Sequence, residues 1–303
     1  MSLAAPRLSC GPRGGIAIAA IVRNDAAHIG EWATHHQNVG VTRFLIYDDG
    51  SSDGTVDCLR DHLRPGTTVT VTPWAQRLSD ARLGRELHNQ VLAYAHAAAN
   101  HAGSLRWMAL IDVDEFLLPT RHATLGEALA VLEHLPAISL PQVTYLCLSE
   151  ECPPEGVLRG VTRRLPEEVA LRQGLTGFKT IADPSRITAL RVHSVECDGL
   201  DRMWNDRGEA LPAARHRHPG HGSADLIRLH HYYVRSLRDL DHKLQRGPNL
   251  RKRHSVYAAK VARNVRAASG ALIYDGFAPD WLGRYVEQGI VMEYCNDRGR
   301  GGI

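Results

Sequence analysis

The chain has 303 residues, 44% hydrophobic and 23% charged, and a net charge of +3 with its 17 histidines neutral. That composition suits a soluble globular protein of one large or two modest domains, and no strongly basic balance calls for nucleic acid or an anionic membrane. No apolar run is long enough to cross a bilayer, residues 1–15 lack the apolar core of a secretion signal, and the six cysteines include no Cys-x-x-Cys pair, so a cytoplasmic protein without disulfides or structural zinc is expected.

Residues 1–14, rich in Pro, Gly and Ala, read as a flexible tail. Gly15 to Val22 is a continuous apolar run that suits a central parallel strand, and Arg23, Asn24 and Asp25 follow at its end. Ile29, Trp32, Ala33, His36 and Val39 then share one helical face. Arg43 to Tyr47 is a second strand. It runs into the turn-forming segment Asp48-Asp49-Gly50-Ser51-Ser52-Asp53-Gly54, and Val56, Leu59 and Leu63 mark a short helix.

Thr68 to Thr72 alternates as a third strand, and leucines at helical spacing predict one long helix over 79–99. Trp107 to Ile111 is a fourth strand that meets Asp112, Asp114 and Glu115. On an extended chain Asp112 and Asp114 would point to the same side and could share one hard cation. Alternating strands and helices argue for an α/β layer with a mostly parallel sheet, whose ligands bind at the carboxyl ends of the strands. The three polar clusters all fall at such ends.

Thr124 to Glu127 is a capping box opening a helix to about Leu135, and Ala137 to Leu148 holds one or two strands around Pro141. The pattern weakens over 149–219, where loops are expected; His216, His218 and His221 read as part of a solvated loop. Leu226 to Leu229 is a short strand before His230-His231-Tyr232-Tyr233, and Ser236 to Asp239 caps another helix that ends at Gly247-Pro248. Basic amphipathic helices follow, with the charges of 246–254 on a solvated face. The expected division is a tail over 1–14, a catalytic domain over 15–247 and a helical extension over 248–303.

Four segments carry a resemblance to glycosyltransferases of the GT-A fold, in the family-two-like group. These are Val22 to His36, with Glu31-Trp32 and His35-His36; Tyr47 to Thr55; Ile111-Asp112-Val113-Asp114-Glu115-Phe116; and Leu229 to Tyr233 with Ser236, Lys243 and Gly247. The resemblance implies a transferase moving a sugar, with inversion, from a nucleotide-diphosphate donor of the UDP-sugar kind to a glycan or small-molecule acceptor. It implies an Asp-x-Asp motif in which Asp114 binds Mn2+ or Mg2+ and Asp112 reaches the metal or the ribose. A late histidine would complete the metal site, and the pattern of one His before Tyr selects His231.

Arg23, Asn24, Asp25, Asp48, Asp49, Asp112 and Lys179 are the candidate donor-binding residues. Asp49 is the one favoured to read the base, and Lys179 and His193 would touch phosphate or acceptor. Glu115 reads as structural. Glu150, Glu151, Glu196 and Asp198 remain equal candidates for the catalytic base. A nucleotidyltransferase, or a non-catalytic nucleotide- or sugar-binding protein on the same fold, is the alternative; no Gly-rich basic phosphate loop follows the first strand to favour the former.

Overall fold

The computed structural model describes residues 13–82, 84–172, 176–212, 221–247 and 254–289. Its centre is a ten-stranded sheet. In chain order the strands are β1 (Ile16–Val22), β2 (Arg43–Asp48), β3 (Thr68–Pro73), β4 (Trp107–Leu110), β5 (Glu115–Pro119), β6 (Ala137–Leu146), β7 (Arg163–Arg164), β8 (Phe178–Ala182), β9 (Ile227–Val234) and β10 (Ile273–Tyr274). They lie in the order β10-β7-β6-β8-β4-β1-β2-β3, while β9 pairs with both β6 and β5. The run β4-β1-β2-β3 is parallel, and β8 is antiparallel to β4 and β6. The α/β class with a mostly parallel sheet holds.

β1 is apolar throughout because both of its faces are covered. Ile18, Ala20 and Val22 enter one core with Ile29, Trp32 and Ala33 of helix α1 (Ala26–Asn38). Ala17 and Ala19 enter a second core, on the other face, with Ala93, Tyr94 and Ala97 of a helix over Asn89–His101. Each large aliphatic side chain so buried contributes about 1.5–3 kcal/mol. The Thr55–Asp61 helix, α2, packs on α1. No helix among the described residues is long and apolar enough to cross a membrane.

The long helix expected over 79–99 is instead a small hairpin, Ser79–Asp80 against Arg85–Glu86, followed by α3 (Asn89–His101). Gly84 stands at φ +58° in the turn, and its N–H donates to the Asp80 carbonyl. Leu78 is exposed, and the buried face begins only at Asn89. Helical spacing alone does not make a helix where no face is covered, and Leu83, part of that spacing, lies outside the described residues.

The capping box of Thr124 and Glu127 forms as expected, on the short helix α4 (Leu125–Ala130). β6 is one strand of ten residues that changes partners at Pro141: residues 137–141 pair with β8, and 142–146 run parallel to β9. β9 extends beyond the apolar stretch to take in both histidines and both tyrosines. The short helices α5 (Val157–Gly160) and α6 (Glu167–Arg172) lie in the stretch expected as loops. Ser236 caps α7 (Leu237–Arg246), its hydroxyl accepting from the Asp239 N–H. After α8 (His254–Ser269), helix α9 (Phe277–Tyr285) buries Ala278, Trp281 and Leu282 in the same core as α1. Residues 1–12 of the expected tail fall outside the described residues, as do His216, His218 and most of the basic run 246–254; His221, expected in a solvated loop, is buried.

Candidate active site

A cleft of about 500 Å3 opens at the carboxyl ends of β1 and β4, lined among others by Arg23, Asp25, Asp49, Asp112, Asp114, His231, Arg235 and Lys243. The chain does not stay extended through the acids. Leaving β4, it turns over 112–114, and the Glu115 N–H donates to the Asp112 carbonyl at 3.1 Å. The Asp112 N–H donates back to Glu115 Oε2 at 2.8 Å. The turn sends the two aspartates to different partners, contrary to the shared side expected of an extended pair.

Asp112 accepts from Gln90 Nε2 at 2.5 Å and from Lys179 Nζ at 2.8 Å. Asp114 accepts from Lys243 Nζ at 2.8 Å and lies 3.6 Å from His231 Nε2. Glu115 is fully buried, 3.5 Å from Lys179 Nζ, and accepts from the Gln142 amide. Gly177 permits that last contact, because a Cβ there would meet the Gln142 amide oxygen at 1.8 Å.

The tertiary partner of Glu115 explains how a histidine so distant in sequence arrives here. β5 and β9 are antiparallel, with Glu115 opposite His231 and Phe116 opposite His230. Strand alternation then separates the two histidines. His231 faces the cleft, whereas His230 is fully buried with its ring 4.6 Å from that of Tyr145. Ligand atoms of Asp114, Glu115 and His231 lie within 4.8 Å of one another. Asp112, expected in the metal set, is not in that group; Glu115, expected to be structural, is.

Electrostatics follow from burial and close charges. Burial alone would raise the Asp114 carboxyl, but Lys243 and His231 outweigh it and hold it well below the usual carboxylate range. Burial dominates at Glu115 and pushes it up to about 7, even with Lys179 beside it. Burial opposes the charge on Lys179, yet Asp112 and Glu115 drive its pKa well above the ordinary value. His231 Nδ1 is buried without a hydrogen-bond partner among the described residues. One imidazole and two carboxylates form a donor set that fits Mn2+, and fits Mg2+ less well because the harder ion takes nitrogen poorly.

The β1–β3 side is built from paired charges. Asp49 accepts two hydrogen bonds from Arg77, at 2.6 and 2.7 Å, and one from Asn89 Nδ2 at 3.3 Å, with Arg23 Nη1 at 4.0 Å. The Asp25 carboxylate accepts from the Arg23 N–H at 3.1 Å and lies 3.9 Å from Arg235 Nη2. Asn24, at φ +54°, accepts from the Ser52 N–H and so ties the first strand end to the second loop. Asp48 accepts from the Ser51 N–H at 2.9 Å, closing its own turn, and does not line the cleft.

None of the four carboxylates named as base candidates lines this cleft, and Glu151 borders another. This second cleft, of about 830 Å3, lies on the far side of Arg235 and Lys243. There Glu151 pairs with Arg238. Glu150 is exposed, Glu196 pairs with Arg191, and Asp198 with Arg186, all away from the acids of the cleft.

Sequence reasoning passed over Arg77, Gln90, Gln142 and Arg235. Gln90 lies in the stretch expected as one helix, and Arg77 just before it, where no motif suggests a ligand. Arg235 is 4% exposed; its Nε and Nη2 donate to Asp239 at 3.0 and 2.9 Å, and Nη1 has no partner among the described residues. Its position three residues after Tyr232, before a capping serine, was the available signal.

A side pocket of about 230 Å3 adjoins the main cleft, sharing Asp112, His193, His231, Tyr257 and Lys260 with it.

Comparison with known proteins places the chain in a family. Residues 16–207 match the family described as Glycosyltransferase family 92. A family 92 protein of Oryza sativa subsp. japonica is 30% identical over 156 residues, covering 49% of this chain and 24% of the relative. One from Ricinus communis is 27% identical over 154 residues, covering 47% and 25%. The chain thus spans about a quarter of the length of these curated relatives. Among solved structures, a mannosyltransferase of Pyrobaculum calidifontis in complex with GDP-Man and Mn2+ aligns at a TM-score of 0.30 and 17% identity, over 50% of this chain and 41% of that one. A mycobacterial protein aligns at 0.31 and 16%, over 57% and 54%. The match over residues 16–207, which includes β1 to β4 and the acidic turn, is more than half of the chain, and the chain belongs to glycosyltransferase family 92.

Proposed function

We propose that the chain is a metal-dependent glycosyltransferase that moves a sugar from a nucleoside-diphosphate donor, of the UDP-sugar kind, to an acceptor hydroxyl with inversion. The observation that carries this reading is the cluster of Asp114, Glu115 and His231, assembled at a strand end in a family 92 chain. Asp114, Glu115 and His231 would hold the cation. A divalent ion there would offset the charge that develops on the departing diphosphate.

The chain's own residues serve the rest. Asp49, oriented by Arg77 and Asn89, is placed to accept from a base or ribose. Arg23 and Arg235, lining the same cleft, are placed to meet phosphate oxygens. Lys179 balances Asp112 and Glu115 and keeps the acidic turn closed. In the transfer the acceptor oxygen bonds to the anomeric carbon, and the bond to the diphosphate breaks with its electron pair leaving on the diphosphate. The hydroxyl proton passes to a base where the cleft meets the side pocket, a junction that Asp112 and His193 border.

The family match speaks against the nucleotidyltransferase alternative. Calorimetry with UDP-, GDP- and dTDP-sugars, with and without Mn2+, tests the donor, and release of free sugar or nucleotide tests turnover. Binding of at least one donor, strengthened by Mn2+, is expected. Failure of all three to bind would overturn the reading, and binding without turnover would leave a non-catalytic protein.

A further inference from the structure

We propose that Lys243 couples the metal to the donor: its ammonium balances Asp114 until a divalent cation takes that carboxylate, and then passes to the donor's diphosphate. The proposal rests on the metal-dependent reading above and adds the residue through which the two ligands depend on each other.

The two lysines at the acidic turn are held differently. Lys179 is 1% exposed and lies between two carboxylates, 2.8 Å from Asp112 and 3.5 Å from Glu115. A cation that takes Glu115 leaves Asp112 to balance it. Lys243 has one carboxylate, with its Nζ 2.8 Å from Asp114 Oδ2. His231 Nε2 approaches the same oxygen, at 3.6 Å. A cation held jointly by Asp114 and His231 is therefore drawn to the oxygen that already carries the ammonium. A dication and an ammonium on one oxygen repel each other, the more so where little water screens them. The ammonium, on a flexible four-carbon stem, is the one free to move.

Its surroundings give it somewhere to go. Lys243 Nζ also donates to the Tyr233 carbonyl at 3.2 Å and stands 4.7 Å from the centre of the Tyr233 ring. These are neutral partners on β9 that it can keep on leaving Asp114. Lys243 lines both the main cleft and the second cleft of about 830 Å3, so it forms part of the wall between them. Asp239 and Glu151, on the second cleft, already pair with Arg235 and Arg238. A diphosphate in the main cleft brings unpaired negative charge beside Asp114. Arg235, in the same wall, is less free to answer it, because two of its nitrogens donate to Asp239 at 3.0 and 2.9 Å.

The consequence is a coupling that metal–phosphate contact alone does not supply. Without nucleotide, Mn2+ has to displace the ammonium with no anion to receive it, and binds weakly. UDP receives the ammonium, so each ligand strengthens the other, by the same factor in both directions.

The test is calorimetry of Mn2+ binding to the full chain, with and without UDP, in the wild type, Lys243→Met and Lys243→Arg. Lys243→Met should bind Mn2+ alone about tenfold more tightly than the wild type, since the opposing charge is gone. The factor by which UDP improves Mn2+ binding should then be about tenfold smaller. Lys243→Arg keeps the charge and should bind Mn2+ alone as weakly as the wild type. A second measurement needs no variant. The chain has four lysines, at 179, 243, 252 and 260, so acetylation by an N-hydroxysuccinimide ester is read site by site in a mass spectrometer. Saturating Mn2+ should raise labelling of Lys243 severalfold relative to Lys260, and adding UDP should suppress it again. Lys243→Met that binds Mn2+ no better than the wild type overturns the proposal, as does Lys243 labelling that ignores Mn2+. If Mn2+ binds none of the three proteins, with UDP or without, the metal-dependent reading itself has failed and the exchange with it.

Discussion

The two sides of the cleft hold their charges by different means. On the β1–β3 side, Asp49 is fixed by the fork of Arg77 and by Asn89, and the sheet carries the loop that presents it. On the β9–α7 side, Asp114 is balanced by Lys243, a single ammonium on a flexible stem reaching from a helix that ends at Gly247. A planar guanidinium gripping both carboxylate oxygens leaves little to rearrange. One ammonium on one oxygen can be displaced without opening the fold. The first side is preformed, and the second can exchange its counter-charge for a cation.

The sharpest way to break this comparison is to remove the rigid pair. Asp49→Ala takes two charged hydrogen bonds from the half-buried Arg77 guanidinium, which keeps only Glu86 at 3.9 Å and the Gln76 carbonyl, and the loss is about 3 kcal/mol. Tm should fall by several degrees, and nucleotide affinity should fall about tenfold with or without metal. Asp49→Ala with Arg77→Met should recover the stability and not the affinity. A double variant as unstable as the single one would show that Asp49 works through Asn89 instead.

The next effect is a stability loss in acid that originates away from the cleft. His35 and His36 are wholly buried beneath β5. His35 Nε2–H donates to the Leu117 carbonyl, and His36 Nε2 accepts from the Leu117 N–H. Burial lowers His35 to about 4 and His36 well below its ordinary value. The folded state therefore binds these protons less well than the unfolded chain. Their contribution is complete above about pH 6.5 and is lost as the pH falls towards 4, about 3 kcal/mol for His35 alone. Thermal denaturation across pH 7 to 4 measures it. His35→Gln should flatten the curve, and an unchanged slope would assign the acid loss to carboxylates.

His231→Ala probes the exchangeable side. It should raise the Mn2+ concentration required for donor binding by about 10–100-fold while metal-free nucleotide binding stays normal. His230→Ala should lower Tm and leave the metal requirement alone, because its ring packs on Tyr145 in the core. Exchanged phenotypes would mean that the alternation along β9 has been misassigned.

The smallest effect is expected at Arg235→Lys, which keeps the charge and loses the planar fork. Nucleotide-diphosphate affinity should drop severalfold, about 1 kcal/mol, with little change in mononucleoside binding. An equal loss for both would place Arg235 in a structural role through Asp25 and Asp239.

Much of the fold was legible because its signals are local. The apolar run Ile16–Val22 can only be buried on both faces, and the capping serine and threonine of α7 and α4 mark their helices unaided. The failure at 79–99 is equally instructive. Leucine spacing states that a helix could form there, while a helix forms only where a face is covered, and here coverage begins at Asn89.

What the sequence determined by itself is the strands β1 to β4 and the polar residues at their ends, because strand burial and chain turns depend on neighbours a few positions away; β8, in the stretch expected as loops, and the full length of β9 were not legible. It therefore placed Asp49, Asp112 and Asp114 at strand ends, and these line the cleft with His231, which lies within β9 and not after it. Which acid meets which cation was decided by tertiary structure. The turn over 112–114 parts the two aspartates, and Glu115 joins His231 only because β5 and β9 are antiparallel in one register. A register shift of one residue would bring His230 to the cleft and bury His231, with no change to the sequence pattern of either strand.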